Sequence, residues 1–109
     1  MTAPALSNAA REVLVRARAR IDTPEKWCKG WYARGADGER RWAGQPDCVA
    51  FCSSGAIGRE AVTAKDYDES MDALREAADV ENFIRWQDAP ERTHADVMRA
   101  FDVALGSPA

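Results

Sequence analysis

The sequence has few of the features that mark a membrane protein, a secreted protein or a common class of enzyme. It has one histidine and three cysteines in 109 residues, and no glycine-rich phosphate loop. No apolar run approaches the ~20 residues that a membrane helix needs. The first ten residues lack the basic start and apolar stretch of a secretory signal. We therefore expect a cytoplasmic protein that does not contact a membrane.

The three cysteines do not suggest a framework of disulfides or a metal site. Cys28, Cys48 and Cys52 are an odd number, and reduced thiols in a cytoplasm are the simplest interpretation. With His94 they have the donor types of a Cys3His zinc site. Only Cys48 and Cys52 are close, and their spacing of four places both on one face of a predicted helix. The sequence therefore predicts no metal and no other cofactor.

Charge is divided unevenly along the chain. Residues 1–45 carry nine basic and five acidic side chains, whereas residues 46–109 carry six basic and thirteen acidic ones. The simplest interpretation is attraction between two parts of one domain. Nucleic-acid binding through an arginine-rich first helix is a second alternative function. Four arginines would form that surface: Arg11, Arg16, Arg18 and Arg20.

Hydrophobic periodicity predicts a mainly α fold, a single compact domain over residues 1–109 with four or five short helices. Ser7, Thr63 and Thr93 are the predicted N-caps of three of them. Pro46 is expected to open a further helix that ends near Ala61. Residues 1–6 are expected to be a disordered tail. The apolar stripe of the first helix comprises Ala10, Val13, Leu14, Ala17 and Ile21.

Residues 31–42 follow a different pattern. Asp37-Gly38 lies between two short runs that contain aromatic residues, which is typical of a β-hairpin, although an ordered loop is also compatible. Aromatic and arginine side chains dominate the hot spots of protein interfaces. The segment therefore supplies a candidate binding surface for a partner protein. Its candidate residues are Trp31, Arg34, Arg40, Arg41 and Trp42.

A thiol-dependent enzyme is the main alternative to a binding protein. Cys28 or Cys52 would be the nucleophile, His94 the base and Asp88 the residue that orients the base. A chain of this length has little room for a substrate cleft, so binding remains the preferred function and catalysis stays open. The pattern gives His94 no structural task, so we expect its replacement by alanine to leave stability unchanged.

Three motifs together resemble a family of small uncharacterised proteins found in actinobacteria, proteobacteria and their phages. They are Trp27-Cys28-x-Gly30, Phe51-Cys52-x-x-Gly55-Ala56 and Trp86-x-Asp88-Ala89-Pro90-x-Arg92-Thr93-His94. The resemblance extends over nearly the whole chain from the first helix onward. It implies no site residues, because the family is a domain of unknown function. With the small size, it suggests a phage or mobile-element accessory protein that binds a host protein stoichiometrically.

Overall fold

The computed structural model describes residues 6–106, which form five α-helices, one 3-10 turn and a three-stranded antiparallel sheet. In chain order these are α1 (Asn8–Arg20), the 3-10 turn (Pro24–Lys26), β1 (Ala33–Gly35), β2 (Arg40–Arg41), β3 (Cys48–Phe51), α2 (Ser53–Glu60), α3 (Ala64–Ala78), α4 (Phe83–Asp88) and α5 (His94–Ala104). Over this range no helix is long and apolar enough to cross a membrane. The predicted mainly α domain is confirmed in outline, with one strand more than a hairpin.

The three predicted N-caps are confirmed. The side chains of Ser7, Thr63 and Thr93 each accept a hydrogen bond from the backbone N–H three residues later. At Thr93 the bond is reciprocated, because Asp96 accepts from the Thr93 N–H and so completes a capping box. These caps satisfy backbone donors that have no partner within the helix. The last of them fixes where α5 begins, and thus where His94 stands.

The core lies where the five helices meet the inner face of the sheet. The apolar stripe predicted for α1 is entirely buried. Leu6, expected in a disordered tail, is half-buried and packs on this core; the rest of that tail lies outside the described residues. The other large buried side chains include Phe51, Ile57, Leu74, Phe83, Val97 and Phe101.

The helix predicted to open at Pro46 is wrong. Residues 48–51 form strand β3, which pairs antiparallel with β1, and the helix begins only at Ser53. Cys48 therefore lies in a strand, while Cys52 is the N-cap of α2, so the two thiols do not share a helix face. A short apolar run fits either a strand or a buried helix. Pairing with β1, which local pattern does not reveal, decides between them.

The predicted hairpin is present, with a turn set by Asp37 and Gly38. The Asp37 carboxylate accepts the Glu39 N–H at 3.0 Å, and Gly38 has φ +80°, a conformation that suits glycine. Ala33 then pairs with Arg41, and Arg34 with Arg40. Since side chains alternate along a strand, Arg34 and Arg40 share one face and Ala33 and Arg41 the other.

Gly55 allows the hairpin to sit directly against α2. The Cys52 N–H donates to the Tyr32 carbonyl at 3.0 Å. A Cβ at Gly55 would lie 1.9 Å from that same carbonyl oxygen. Only glycine fits at this contact, which fixes the position of Tyr32 on the surface.

Candidate functional site

Three aromatic rings pack together on the outer face of the hairpin. The ring centroids of Trp31 and Trp42 are 5.3 Å apart, and those of Tyr32 and Trp42 are 5.9 Å apart in a stacked arrangement. Trp42 is 62% exposed and Tyr32 44% exposed. The Arg40 guanidinium lies 4.7 Å from the Trp31 ring centroid. We call these four residues the aromatic–arginine face.

Arg40 differs from the two other arginines of the hairpin. Arg34 donates to the Gly38 carbonyl at 3.1 Å and toward the Lys29 carbonyl. Arg40 is exposed, and its guanidinium makes no hydrogen bond within residues 6–106. Its charge is therefore available to a partner, whereas that of Arg34 is used to hold the hairpin.

Arg41 is also a structural residue. Its guanidinium lies over Gly35 and bonds to Asp37 at 3.1 Å and Asp47 at 2.9 Å. The pKa of Asp37 is lowered, chiefly by the Glu39 N–H and then by the Arg41 hydrogen bond. Of the five residues predicted for the binding surface, the structure thus places Trp31, Arg40 and Trp42 together and engages Arg34 and Arg41 in hydrogen bonds within the protein.

Tyr32 is the member of the face that the sequence analysis missed. Continuing the hairpin register one step beyond Ala33 and Arg41 sets Tyr32 directly opposite Trp42. Aromatic pairs across neighbouring strands stabilise a sheet. A two-residue turn at Asp37-Gly38 would set Ala33 opposite Trp42, so the pairing of Tyr32 with Trp42 depends on the longer turn between Gly35 and Glu39 that the structure shows.

A fully buried glutamine organises the second cluster. Gln87 Oε1 accepts from Trp27 Nε1 at 3.2 Å and from the Ser53 N–H at 2.7 Å. Its Nε2 donates to Asp88 Oδ1 at 3.0 Å. Both donors to Oε1 are N–H groups, so they fix the orientation of the amide. We call Trp27, Ser53, Gln87 and Asp88 the Gln87 junction.

The sequence analysis also missed Gln87. It follows Phe83 by four residues in α4, so the two share the buried side of that helix. A polar side chain at such a position must find partners inside the protein.

The segment from Trp27 to Gly30 is tied to the loop before α5. Lys29 Nζ donates to the carbonyls of Ala89 and Arg92, each at 2.8 Å. Asp88 Oδ1 accepts the Gly30 N–H at 3.2 Å. The motif around Trp27 and the motif that begins at Trp86 therefore meet in space, and their contacts hold the fold together.

The two candidate nucleophiles lie near this junction, and both are held as neutral thiols. Burial, and then the neighbouring Cys52, raises the pKa of Cys28 to about 11. Burial likewise raises the pKa of Cys52, although the Gly55 N–H donates to its Sγ at 3.2 Å and acts in the opposite direction. Reactive thiols have lowered pKa values. The setting therefore keeps both cysteines mainly as thiols at neutral pH and gives neither the low pKa of a catalytic nucleophile.

His94 has a structural task that the sequence did not show. Its Nε2 lies 2.6 Å from the carbonyl oxygen of Ile21, the C-cap of α1. A carbonyl only accepts, so Nε2 carries the hydrogen. The ring also lies 6.0 Å from that of Trp27, and within the described chain no hydrogen bond joins His94 to Asp88, Cys28 or Cys52. The expectation that His94→Ala leaves stability unchanged assumed that His94 has no structural task, and that assumption is wrong.

The arginines of α1 are engaged by other parts of the protein. Arg18 bonds to Asp102 through two nitrogens, at 2.8 and 3.2 Å, and Arg20 to Glu60 at 2.7 Å. Arg11 donates to the Leu105 carbonyl, and Arg16 pairs with a glutamate one turn earlier. The basic and acidic parts of the chain thus contact each other, which reduces the charge that α1 offers to nucleic acid.

Comparison with known proteins gives a family and no function. Within residues 6–106, no group of three or more histidine, cysteine or acidic side chains is arranged to hold a metal ion. No curated protein and no solved structure matches the chain. A model for a family of unknown function, DUF6197, matches residues 6–106, and the chain therefore belongs to that family.

Proposed function

We propose that the chain is a binding protein that holds a segment of another protein on its aromatic–arginine face. The observation that carries this proposal is the clustering of three aromatic rings beside Arg40, with Trp42 62% exposed. Large contiguous patches of exposed apolar surface mark interaction sites. Tryptophan, tyrosine and arginine are also the residues most enriched at interface hot spots.

The face specifies the chemistry of its partner. The rings are already packed on one another, so they offer an apolar platform on which an aliphatic or aromatic side chain can lie. The Arg40 guanidinium lies over the Trp31 ring with its hydrogen-bond donors unused by residues 6–106. A carboxylate would complete a charge-assisted pair with Arg40. The expected ligand is therefore a peptide segment with an apolar residue next to an acidic one.

The rigid support of the face also favours binding. Arg41 is held by two aspartates, and Gly55 fixes Tyr32 against α2. Little conformational freedom is then lost when a partner binds, which leaves more of the contact energy for affinity.

The proposed setting is a cytoplasm, and the proposed biological role is that of a phage or mobile-element accessory protein. All three cysteines are free thiols, which fits a reducing compartment. This role is inferred from the small size of the protein and from the resemblance of its three motifs to a family of small bacterial and phage proteins. It agrees with stoichiometric binding to a host protein and needs no catalytic chemistry.

Selection from a random peptide library against the purified protein tests the proposal. Selected peptides should pair an acidic residue with an apolar neighbour, and binding should shift tryptophan emission to shorter wavelength. Both Trp42→Ala and Arg40→Glu should weaken binding about tenfold or more. Val62→Ala is the matched control, because Val62 is 88% exposed and lies outside the face.

Two results would overturn the proposal. One is a set of binders whose affinity is unchanged by Trp42→Ala and Arg40→Glu. The other is preferential, salt-dependent binding of a single-stranded oligonucleotide to the same face. Base stacking on aromatic side chains next to arginine would explain that second result.

A further inference from the structure

We propose that Cys28 and Cys52 form a redox modification site, at which exchange with a low-molecular-weight disulfide links the two sulfur atoms to each other. The inference does not depend on the proposed binding function. It rests on the way in which the chain brings these two cysteines side by side.

The backbone around the two cysteines has the geometry of paired parallel strands. Trp27 and Phe51 form a parallel β-bridge, and the Cys28 N–H donates to the Phe51 carbonyl at 3.0 Å. Cys28 and Cys52 are the next residues on the two bridged segments. Paired strands lie ~4.8 Å apart, and disulfides span Cα separations of about 4.4–6.8 Å. The spacing of the two backbones therefore suits a disulfide.

Both cysteines contact the same short segment of the chain, residues 31 and 32. Cys28 Sγ lies 3.7 Å from the Trp31 carbonyl, and the adjacent Tyr32 carbonyl accepts the Cys52 N–H. The segment between Cys28 and Tyr32 therefore contacts Cys28 Sγ on one side and the backbone of Cys52, at the start of α2, on the other.

Cys48 is not the expected partner. It is opposite Gly35 in the sheet register, and its Sγ lies 3.2 Å from the Trp42 carbonyl. Cys52 follows Phe51, the residue that bridges to Trp27. The register therefore assigns the link to Cys28 and Cys52 and leaves Cys48 free.

The reaction is two successive thiol–disulfide exchanges. Cys28 is only half-buried, so its thiolate attacks the small disulfide, forms a mixed disulfide and releases one small thiolate. The Cys52 thiolate then attacks the Cys28 sulfur, forms the internal bond and releases the second. Two protein thiols are oxidised and one small disulfide is reduced to two thiols. The link fixes the segment leading into Trp31 to the start of α2.

Oxidised glutathione and the Cys48→Ser protein provide the test. Incubation should lower the mass of the protein by two hydrogens, and peptide mapping without reductant should join the Cys28 and Cys52 peptides. In the otherwise wild-type chain, Cys28→Ser and Cys52→Ser should each leave the two remaining thiols unlinked. Below the raised pKa, the thiolate fraction of Cys28 grows tenfold for each pH unit, so the rate of reaction should rise about tenfold from pH 7 to 8.

Peptide mapping of the Cys48→Ser protein tests the proposed disulfide even if another variant does not fold, because this protein retains both Cys28 and Cys52. A stable glutathione adduct on Cys28 without further exchange would overturn the proposal. So would a Cys48 link in the wild-type protein, or a dimer joined through Cys28.

Discussion

The four tryptophans divide into two pairs that differ in their contacts. Trp27 donates its indole N–H to Gln87, and Trp86 packs on Phe83, with ring centroids 5.1 Å apart, beneath the Arg92 guanidinium. Trp31 and Trp42 instead contact each other and Tyr32 at the surface. The first pair holds elements together, whereas the second presents a surface.

Trp27 and Trp31 are only four residues apart, yet they belong to different pairs. Trp27 is placed by the β-bridge to Phe51 and by the cation of Lys29, which lies 5.3 Å from its ring centroid. Beyond Gly30, where φ is +81°, the chain changes direction and Trp31 emerges beside the hairpin. Local composition does not distinguish the two roles, because the partner groups are distant in sequence.

The largest predicted effect lies in the Gln87 junction. Gln87→Ala leaves two N–H donors, those of Trp27 and Ser53, without their buried acceptor. Together with the cavity, this should lower the free energy of unfolding by about 3–5 kcal/mol. Denaturant unfolding followed by circular dichroism measures it.

Arg85→Ala is the matched control, since Arg85 is an exposed residue of the same helix and its loss should be nearly neutral. If the two variants unfolded at the same denaturant concentration, the Gln87 junction would not be what holds these elements together.

A smaller effect is expected at His94. His94→Ala removes the 2.6 Å bond to the Ile21 carbonyl, which ties the end of α1 to the start of α5. The loss of one partly buried hydrogen bond should cost about 1–2 kcal/mol of unfolding free energy. Thermal unfolding at neutral pH measures the effect, with Glu91→Ala, a change at an exposed neighbour, as the control.

If His94→Ala unfolds like the wild type, the bond to Ile21 contributes nothing net, and the histidine becomes available for a role in binding. The expectation from the sequence, that His94→Ala leaves stability unchanged, would then be correct although the histidine does make a hydrogen bond.

The sequence carried most of the helical architecture and three of the four residues of the aromatic–arginine face, but not the long-range contacts of the Gln87 junction or of His94. The stripe of α1 and the caps at Ser7, Thr63 and Thr93 are local signals, written within a few residues, and all are confirmed. Strand β3 was missed because its identity depends on pairing with β1, more than a dozen residues away.

The task of His94 was missed for the same physical reason: Ile21, its partner, lies 73 residues earlier in the chain. Gln87 is a different case, since its burial could be deduced from its spacing to Phe83. Its partners could not, because Trp27 and Ser53 come from two other parts of the chain.

The smallest predicted effect on stability, at Trp42, gives the sharpest test of the comparison. Trp42→Phe keeps an aromatic ring stacked near Tyr32 and leaves no buried donor or acceptor unpaired, because the indole is 62% exposed. Its unfolding free energy should stay within about 0.5 kcal/mol of the wild type. Trp27→Phe is the matched change, and it deprives Gln87 Oε1 of one of its two donors, at a cost of about 1–2 kcal/mol. Parallel denaturant titrations of the two variants compare like with like, since each loses the same indole atoms. Equal destabilisation would mean that Trp42 is as much a part of the fold as Trp27, and the aromatic–arginine face would lose its standing as a free surface.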